Sequence, residues 1–586
     1  MRPPRLALRS PTFTKSDVSL HGKSSPWADA LVFLAVIAVF YVLLRLSSQM
    51  RAPIEDIHTP QTLSTDPARL PYYAARSLLR MFAALLASVV FTFIYATAAA
   101  RSRRAEKVLI PLLDILQSVP VLGFLSVTLT VWLTLFPGSE FGVEMASIFA
   151  IFTSQVWNMT FAFYQSQVTA PRDLDEVARV LRLTKWQRFW QLDVPSGVMP
   201  LVWNGMMSFG GGWFFLIASE VISVNNAEYA LPGIGSFVAA ASVNQEIGRL
   251  LLAIAVMVIM VVGVNFFFWR PLTAWSERFR LGDTSAVSTQ RSIMLDVLRR
   301  SALPGLFGRI ARPVNEGLDR VTRPLGLAER PLHINERRKR VGDVIFTVVV
   351  GGLIAYGVVR MLVYLHSSVG LDEFAVAAWL GVLTFIRVMV MLAIASAIFV
   401  PLGVWIGLNP RVTRIAQPLV QVLASFPANF LFPFVTMFLL WSGMSLDVGG
   451  IFLMALGAQW YILFNVMAGA SAIPNDLREV ATNLNVPLRL RWRSIYGPAV
   501  LGSWVTGGIT ASGGAWNASI VAEVVSYGGS TLTASGLGAY ITEATTEGNF
   551  AKTFIGVIVM SVFVVGLNRI LWKPLNQIVE RRFSYA

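Results

Sequence analysis

Two charged segments, set between long apolar runs and similar to each other, constrain this chain more than anything else in it. The first is PRDLDEVARVLRLTKWQRFWQLDVPSGVMP, from Pro171 to Pro200, and the second is PNDLREVATNLNVPLRLRWRSIYGPAV, from Pro474 to Val500. Adding 303 to the residue number superposes Asp173 on Asp476, Glu176 on Glu479, Ala178 on Ala481 and Pro195 on Pro498. The register persists downstream, so the fold is built from a duplicated unit.

The flanking runs are long enough to cross a bilayer, and they recur from end to end. With 55% hydrophobic and 14% charged residues in 586, the chain reads as an all-α polytopic membrane protein. The formal charge of +15 would point to nucleic acid in a soluble chain. Here the basic residues gather between alternate apolar runs, as the positive-inside rule requires, and no nucleic-acid partner is expected. The absence of cysteine excludes disulfides and thiolate chemistry. The four histidines are far apart in sequence, so no metal site is expected. No cleavable signal peptide is expected, because the first apolar run follows a polar, basic stretch and reads as an anchor.

Taken in order, residues 1–29 form a basic tail and 30–270 a first half, with spans at about 30–46, 73–99, 109–136, 143–164, 198–221 and 250–269. Arg51 to Tyr72 reads as an external loop and Arg101 to Lys107 as an internal turn. Residues 271–342 are a basic linker, within which 293–310 is either a surface-lying amphipathic piece or flexible chain. A second half, 343–572, has spans beginning near Val344, Phe374, Ile415, Gly449, Ala499 and Thr553, and 573–586 is a basic tail. Six spans per half, about twelve in all, put the termini, the linker and both charged segments inside. The halves are then parallel repeats about an axis along the membrane normal, with a pathway between them.

Each charged segment reads as a short helix, 173–192 and 476–495, with Asp173 or Asp476 at its start and Leu174, Ala178 and Leu181 (or Leu477, Ala481 and Leu484) along one side. Too short and too charged to span, such a helix protrudes from or lies along the inner face, where its apolar side suits a groove on a partner. Glu-x-Ala followed at a fixed interval by Pro resembles the EAA loop of the membrane subunits of binding-protein-dependent ABC importers. Val177 and Val480 replace that pattern's middle Ala. Arg182 and Asn485 replace its Gly, and Asn485 is the better substitute in a left-handed turn, so the two loops are expected to dock unequally.

Further paired motifs resemble the nitrate/sulfonate/taurine/bicarbonate group of these permeases. They are Trp213 to Glu220 with Trp516 to Glu523, Gly233-Ile-Gly235 with Gly536-Leu-Gly538, and, at offset 307, Gln117-Ser-Val-Pro120 with Ala424-Ser-Phe-Pro427. The resemblance implies a type I ABC importer-like fold in the bacterial inner membrane, one chain supplying both halves. It implies two cytoplasmic ATPases, carrying ATP and Mg, at the two loops, and an external binding protein delivering a small anion. In that scheme Glu176 and Glu479 orient the ATPases, Ala178 and Ala481 keep the contact shallow, and Pro195 and Pro498 end the loops. The chain has no phosphate-cradling Gly-x-x-x-x-Gly-Lys-Ser/Thr loop and binds no cofactor of its own in this reading.

Inside the membrane, Gly205, Gly210 and Gly211 recur as Gly508, Gly513 and Gly514, giving either close helix packing or a moving pathway wall. Arg80 and Arg387 pair with carboxylates or carbonyls, or else draw anions. Trp213, Trp516, Glu220 and Glu523 complete the candidate pathway set. A secondary transporter driven by an ion gradient is the other transport reading. A membrane enzyme lacks a convergent nucleophile, base or metal set.

Overall fold

The computed structural model describes residues 59–60, 62–224, 227–279, 336–370 and 372–583, with isolated positions between 27 and 37 and between 294 and 322. The expected tail 1–29, the span at 30–46 and most of the 271–342 linker, with its 293–310 piece, lie outside the described residues.

The first half runs α1 (Leu70–Arg101), α2 (Arg103–Ser118), α3 (Leu125–Leu135), α4 (Glu140–Val168), α5 (Arg172–Val180) and α6 (Val194–Glu220), then strands β1 (Val221–Val224) and β2 (Ala227–Ala230), then α7 (Ile234–Val243) and α8 (Ile247–Val264). After α9 (Glu336–Ser368), the second half repeats the series. It runs α10 (Glu373–Leu408), α11 (Pro410–Ser425), α12 (Phe432–Ser442), α13 (Leu446–Ser471), α14 (Asn475–Asn483) and α15 (Gly497–Ala522), then β3 (Val524–Tyr527) and β4 (Ser530–Thr533), then α16 (Leu537–Thr546) and α17 (Phe550–Leu567). Within each half the core is three helices, α4 packed between α1 and α6, and α13 between α10 and α15.

Seven helices among the described residues are long and apolar enough to span a membrane, and the bent pair α11–α12 makes an eighth. Helix α4 is the counterpart of α13, α15 of α6, and α2–α3 of the bent pair, so the repeat carries the spanning role to three more. Helix α9 buries none of its apolar middle in the protein. Its exposed Val348, Leu353 and Val363 suit lipid as solvent.

The structure corrects several expected boundaries. The apolar run 109–136 is not one span: it breaks at Val119-Pro120 and turns through Val121–Phe124 before α3. Proline forces the preceding residue out of the helical region, and Val119 and Phe426 both sit extended, at ψ 126° and 127°. In the second half the two arms meet at 81°. Residues 101–107 are not a turn, because α1 ends at Arg101 and Ser102 caps α2 by accepting from the Ala105 amide at 3.3 Å. The sixth span continues past Arg270 to Phe279, and 573–583 of the expected basic tail is helical. The stretches after Glu220 and Ala522 fold as two-stranded antiparallel hairpins.

Four π turns follow the same repeat, Phe189–Asp193 with Trp492–Tyr496 and Asn265–Trp269 with Asn568–Trp572. Each stands two residues before a proline, namely Pro195, Pro498, Pro271 and Pro574. A proline inside a helix lacks its amide and crowds the carbonyl four residues back, and a widened turn relieves both. Pro195 and Pro498 therefore mark bulges in continuous helical runs rather than the ends of the loops.

The halves meet reciprocally at the broken spans. The Val121 amide donates to Asn517 Oδ1 at 3.1 Å, and Asn429 Nδ2 donates to the Phe214 carbonyl at 3.1 Å. Phe214 and Asn517 are repeat equivalents, so each half's break bonds to the same place on its partner, as pseudo-two-fold symmetry demands.

Within each half the fifth and sixth spans close on a Gly–Trp contact, Gly205 with Trp269 and Gly508 with Trp572. A Cβ on Gly508 would lie 2.3 Å from the Trp572 ring, whereas one on Gly513 meets nothing within 4 Å. Gly508→Ala should therefore destabilise the chain by about 1–3 kcal/mol, less the roughly 1 kcal/mol gained in helix propensity. Gly513→Ala should hold or raise the melting temperature of the purified protein. Equal melting temperatures for the two variants would contradict this packing.

Candidate functional site

Three arrangements stand out: a buried ion cluster in each half, the two charged loops, and a cavity between the halves.

In the first half, Arg80 on α1 donates from Nε and Nη2 to the two oxygens of Glu144 on α4, both at 2.6 Å, and from Nη1 to Glu220 at the end of α6 at 2.7 Å. A fourth bond runs from Nη2 to the Pro232 carbonyl at 3.0 Å, so four of the five N–H donors of the planar fork are engaged. Arg76, one turn earlier, pairs with Glu140 at 2.7 Å and with Glu144. All five side chains are buried. The remaining Glu220 oxygen accepts from the Gly235 amide at 2.6 Å, so its charge sits at the N-terminus of α7. This explains the Gly-x-Gly pattern, since a Cβ on Gly233 would fall 2.2 Å from the Glu220 carboxylate carbon. One residue thus ties the fifth span to the hairpin, to α7 and, through Arg80, to α1 and α4.

The second half repeats the design with fewer parts. Arg387 pairs with Glu523 at 2.9 Å and with Asp447, the equivalent of Glu144, and donates to the Ser535 carbonyl at 3.0 Å. Thr384 replaces Ser77 beside the glutamate, and the Gly538 amide donates to Glu523 at 2.7 Å. Leu383 and Gly443 stand where Arg76 and Glu140 would be. The Asp447 side chain is 49% exposed, so this cluster opens to solvent where the first is sealed.

Each expected loop helix breaks in two: a short α5 or α14, then, after a turn, the start of the long helical run that leads into α6 or α15. Helices α5 and α14 end in the same turn, with Arg182 at φ 47° and Asn485 at φ 49°. The Leu183 amide bonds to the Ala178 carbonyl and the Val486 amide to the Ala481 carbonyl, the long bond of a Schellman cap. Arg182 therefore holds the left-handed turn that its side chain disfavours, and the expected contrast with Asn485 does not appear there. Asp173 and Asp476 lie inside the first turn and cap nothing; Pro171 and Pro474 occupy the cap positions.

Ala178 and Ala481 face inward and are buried, so they seat the helices on the body and do not form a shallow outer contact. The outward surface is Glu176, Val177 and Val180 in one loop, and Glu479, Val480 and Leu484 in the other. The loops differ in anchorage. Arg188 pairs with Asp175 and reaches Asp193, which also pairs with Arg101. Its equivalent, Arg491, donates to the backbone carbonyls of Val486 and Ala481, while Arg478 holds those of Leu408 and Ala470.

Between the halves lies a cavity of about 220 Å³. The broken spans contribute Gln117, Val119 and Val121 from one side and Ala424, Phe426 and Ala428 from the other. Gly210 and Gly211 on α6 and Gly514 on α15 line it, and a Cβ on Gly211 would stand 3.5 Å from the Tyr461 hydroxyl. Gly513, Trp213, Trp516, Arg80, Arg387, Glu220 and Glu523 are not among its lining residues. Both tryptophans are buried within their own halves, Trp213 against Phe209 and Trp516 against Phe563. Sequence reasoning missed Arg76, Glu140, Glu144 and Asp447. Aligning acidic residues at offset 303 would have paired the last two.

Removing one partner of a buried ion pair leaves the other charged in a dry site, at a cost of about 3–5 kcal/mol. Glu220→Gln should lower thermal stability by that order. Asp447→Asn, at a half-exposed position, should cost under about 1 kcal/mol. Unfolding of the two purified variants side by side checks this, and equal losses would contradict the sealed and open descriptions.

The geometry agrees with comparison to known proteins. A family model described as "Binding-protein-dependent transport system inner membrane component" matches twice, over residues 88–272 and 399–584. A protein of Methanocaldococcus jannaschii named as an ABC transporter permease is 26% identical over 200 residues, 34% of this chain and 70% of that protein. The nitrate import permease protein NrtB of Leptolyngbya laminosa is 25% identical over 231 residues, 38% of this chain and 79% of the relative. The bicarbonate transport system permease protein CmpB of Synechococcus elongatus is 27% identical over 188 residues, 32% of this chain and 63% of the relative. The chain therefore belongs to the family of inner membrane components of binding-protein-dependent transport systems, with two copies of the family's unit in one polypeptide.

Proposed function

We propose that the two halves enclose the route by which a solute crosses the inner membrane, opened and closed by ATPases that dock at α5 and α14. The observation that carries this reading is the cavity itself, placed where the broken spans of both halves meet and walled by α6 and α15. Each of those helices continues directly from a charged loop through its π turn. A push on a loop is thereby delivered to the pathway wall along a stiff helix, which favours rigid-body motion of one half against the other.

In this proposal two cytoplasmic ABC ATPases, carrying ATP and Mg, bind the outward surfaces at Glu176 and Glu479, each over an apolar rim of valine and leucine. The basic residues between alternate spans support cytoplasmic termini and a cytoplasmic linker. An external binding protein delivers the solute on the hairpin side. Nitrate and bicarbonate, in the names of the relatives, are the first cargo to test.

Uptake by cells carrying the complete system tests the docking surfaces. Glu479→Arg and Val480→Asp alter exposed side chains only, so expression should hold while ATP-dependent uptake falls by about tenfold, the effect of roughly 1.4 kcal/mol lost in docking. The matching changes at Glu176 and Val177 should act likewise. Uptake that survives all four changes, or that continues in ATP-depleted cells holding an ion gradient, would overturn the proposal.

A further inference from the structure

We infer that the central cavity accepts a small planar aromatic or heteroaromatic solute with an amide-like edge, held by ring contacts and neutral hydrogen bonds. The inference rests on the reading of this cavity as the pathway, and it names a cargo class different from the inorganic anions of the relatives.

Three features of the lining carry it. The walls are aromatic, with Trp157, Phe214, Phe215, Phe426 and Tyr461 drawn from both halves. Aromatic side chains stack on a flat ring or meet it edge to face.

The polar groups are neutral and of mixed character. Gln117 Nε2 stands 3.5 Å from Asn158 Oδ1, so two carboxamides sit side by side with Ser154 and Thr510 hydroxyls in the same lining. Carboxamides offer a donor and an acceptor each, and match an edge that also carries both. Nitrate presents acceptors alone and leaves the carboxamide oxygens unmatched, and bicarbonate, with a single O–H donor, matches one of them.

Among the described residues, no Lys, Arg, His, Asp or Glu lines the cavity. Arg80 and Arg387, the arginines that could have drawn anions, are not among the lining residues and are paired with carboxylates and backbone carbonyls. An anion entering the cavity would lose hydration with no cation to replace it. The volume, about 220 Å³, leaves room for a ring solute. At 25–27% identity a shared fold does not fix the cargo, which is decided by the groups in the site.

The chain has no cysteine, so Ser154→Cys places a single thiol in the cavity wall. With the full chain in lipid nanodiscs, the rate of its modification by methyl methanethiosulfonate is measured alone and with uracil, nicotinamide, nitrate or bicarbonate. Uracil or nicotinamide should slow labelling saturably by about fivefold or more, and nitrate and bicarbonate by less than about twofold. Adding Tyr461→Phe should weaken the protection. Thr510→Cys, on the opposite wall, serves if the first variant folds poorly. Protection by nitrate or bicarbonate equal to or greater than that by the ring solutes would overturn the inference. So would a thiol that labels freely in the presence of both ring solutes. A thiol that never labels, with or without ATPase and ATP, would instead overturn the reading of the cavity as the pathway.

Discussion

An arginine inside a membrane has to be matched, and the way this chain matches Arg80 and Arg387 sets much of the rest of its structure. On the gentler insertion scale an unmatched charge at mid-bilayer costs roughly 2.5–3.5 kcal/mol, and the planar guanidinium asks for several acceptors at once. The second span supplies the arginine, the fourth a carboxylate, the fifth a glutamate at its end, and the loop before α7 or α16 a carbonyl. Four elements are thereby fixed to one another in each half. The glycines at 233 and 536 follow from the same constraint, because the glutamate leaves no room for a side chain there.

This locking has a consequence for transport. The cationic groups are held within the halves, so the space between them is left neutral, polar and aromatic. Rigid halves with a soft, uncharged seam suit a machine in which work applied at the loops moves the seam. The two halves are not equal. Arg76 and Glu140 seal the first cluster, and the exposed Asp447 leaves the second open.

Much of this was legible in the chain itself. Offsets of 303 and 307 align both loops, both tryptophan–glutamate stretches and both arginines, and each of these pairs occupies equivalent places in the fold. What sequence reading missed has identifiable physical causes. The break at Pro120 hides inside an unbroken apolar run, because hydropathy does not register a missing amide. Arg182 adopts a left-handed turn that its residue type argues against, since the Schellman hydrogen bonds around it outweigh local preference. Ala178 faces inward although helical spacing put it on the same side as Leu181: the helix seats itself through its C-terminal cap, and spacing alone does not say which side is down. The short hairpins after Glu220 and Ala522 carry too few residues for alternation to show.

The central claim is that each half moves as a unit. Spin-label pairs on an otherwise cysteine-free chain test it directly, with labels at Ser102 and Thr169 in the first half and at their equivalents Asn409 and Ala472 in the second, all exposed on the loop side. With the ATPases assembled, the 102–169 and 409–472 distances should stay constant when ATP is added, while the 169–472 distance changes by several ångströms, as interdomain closures do. Internal distances that change as much as the distance between the halves would contradict the account.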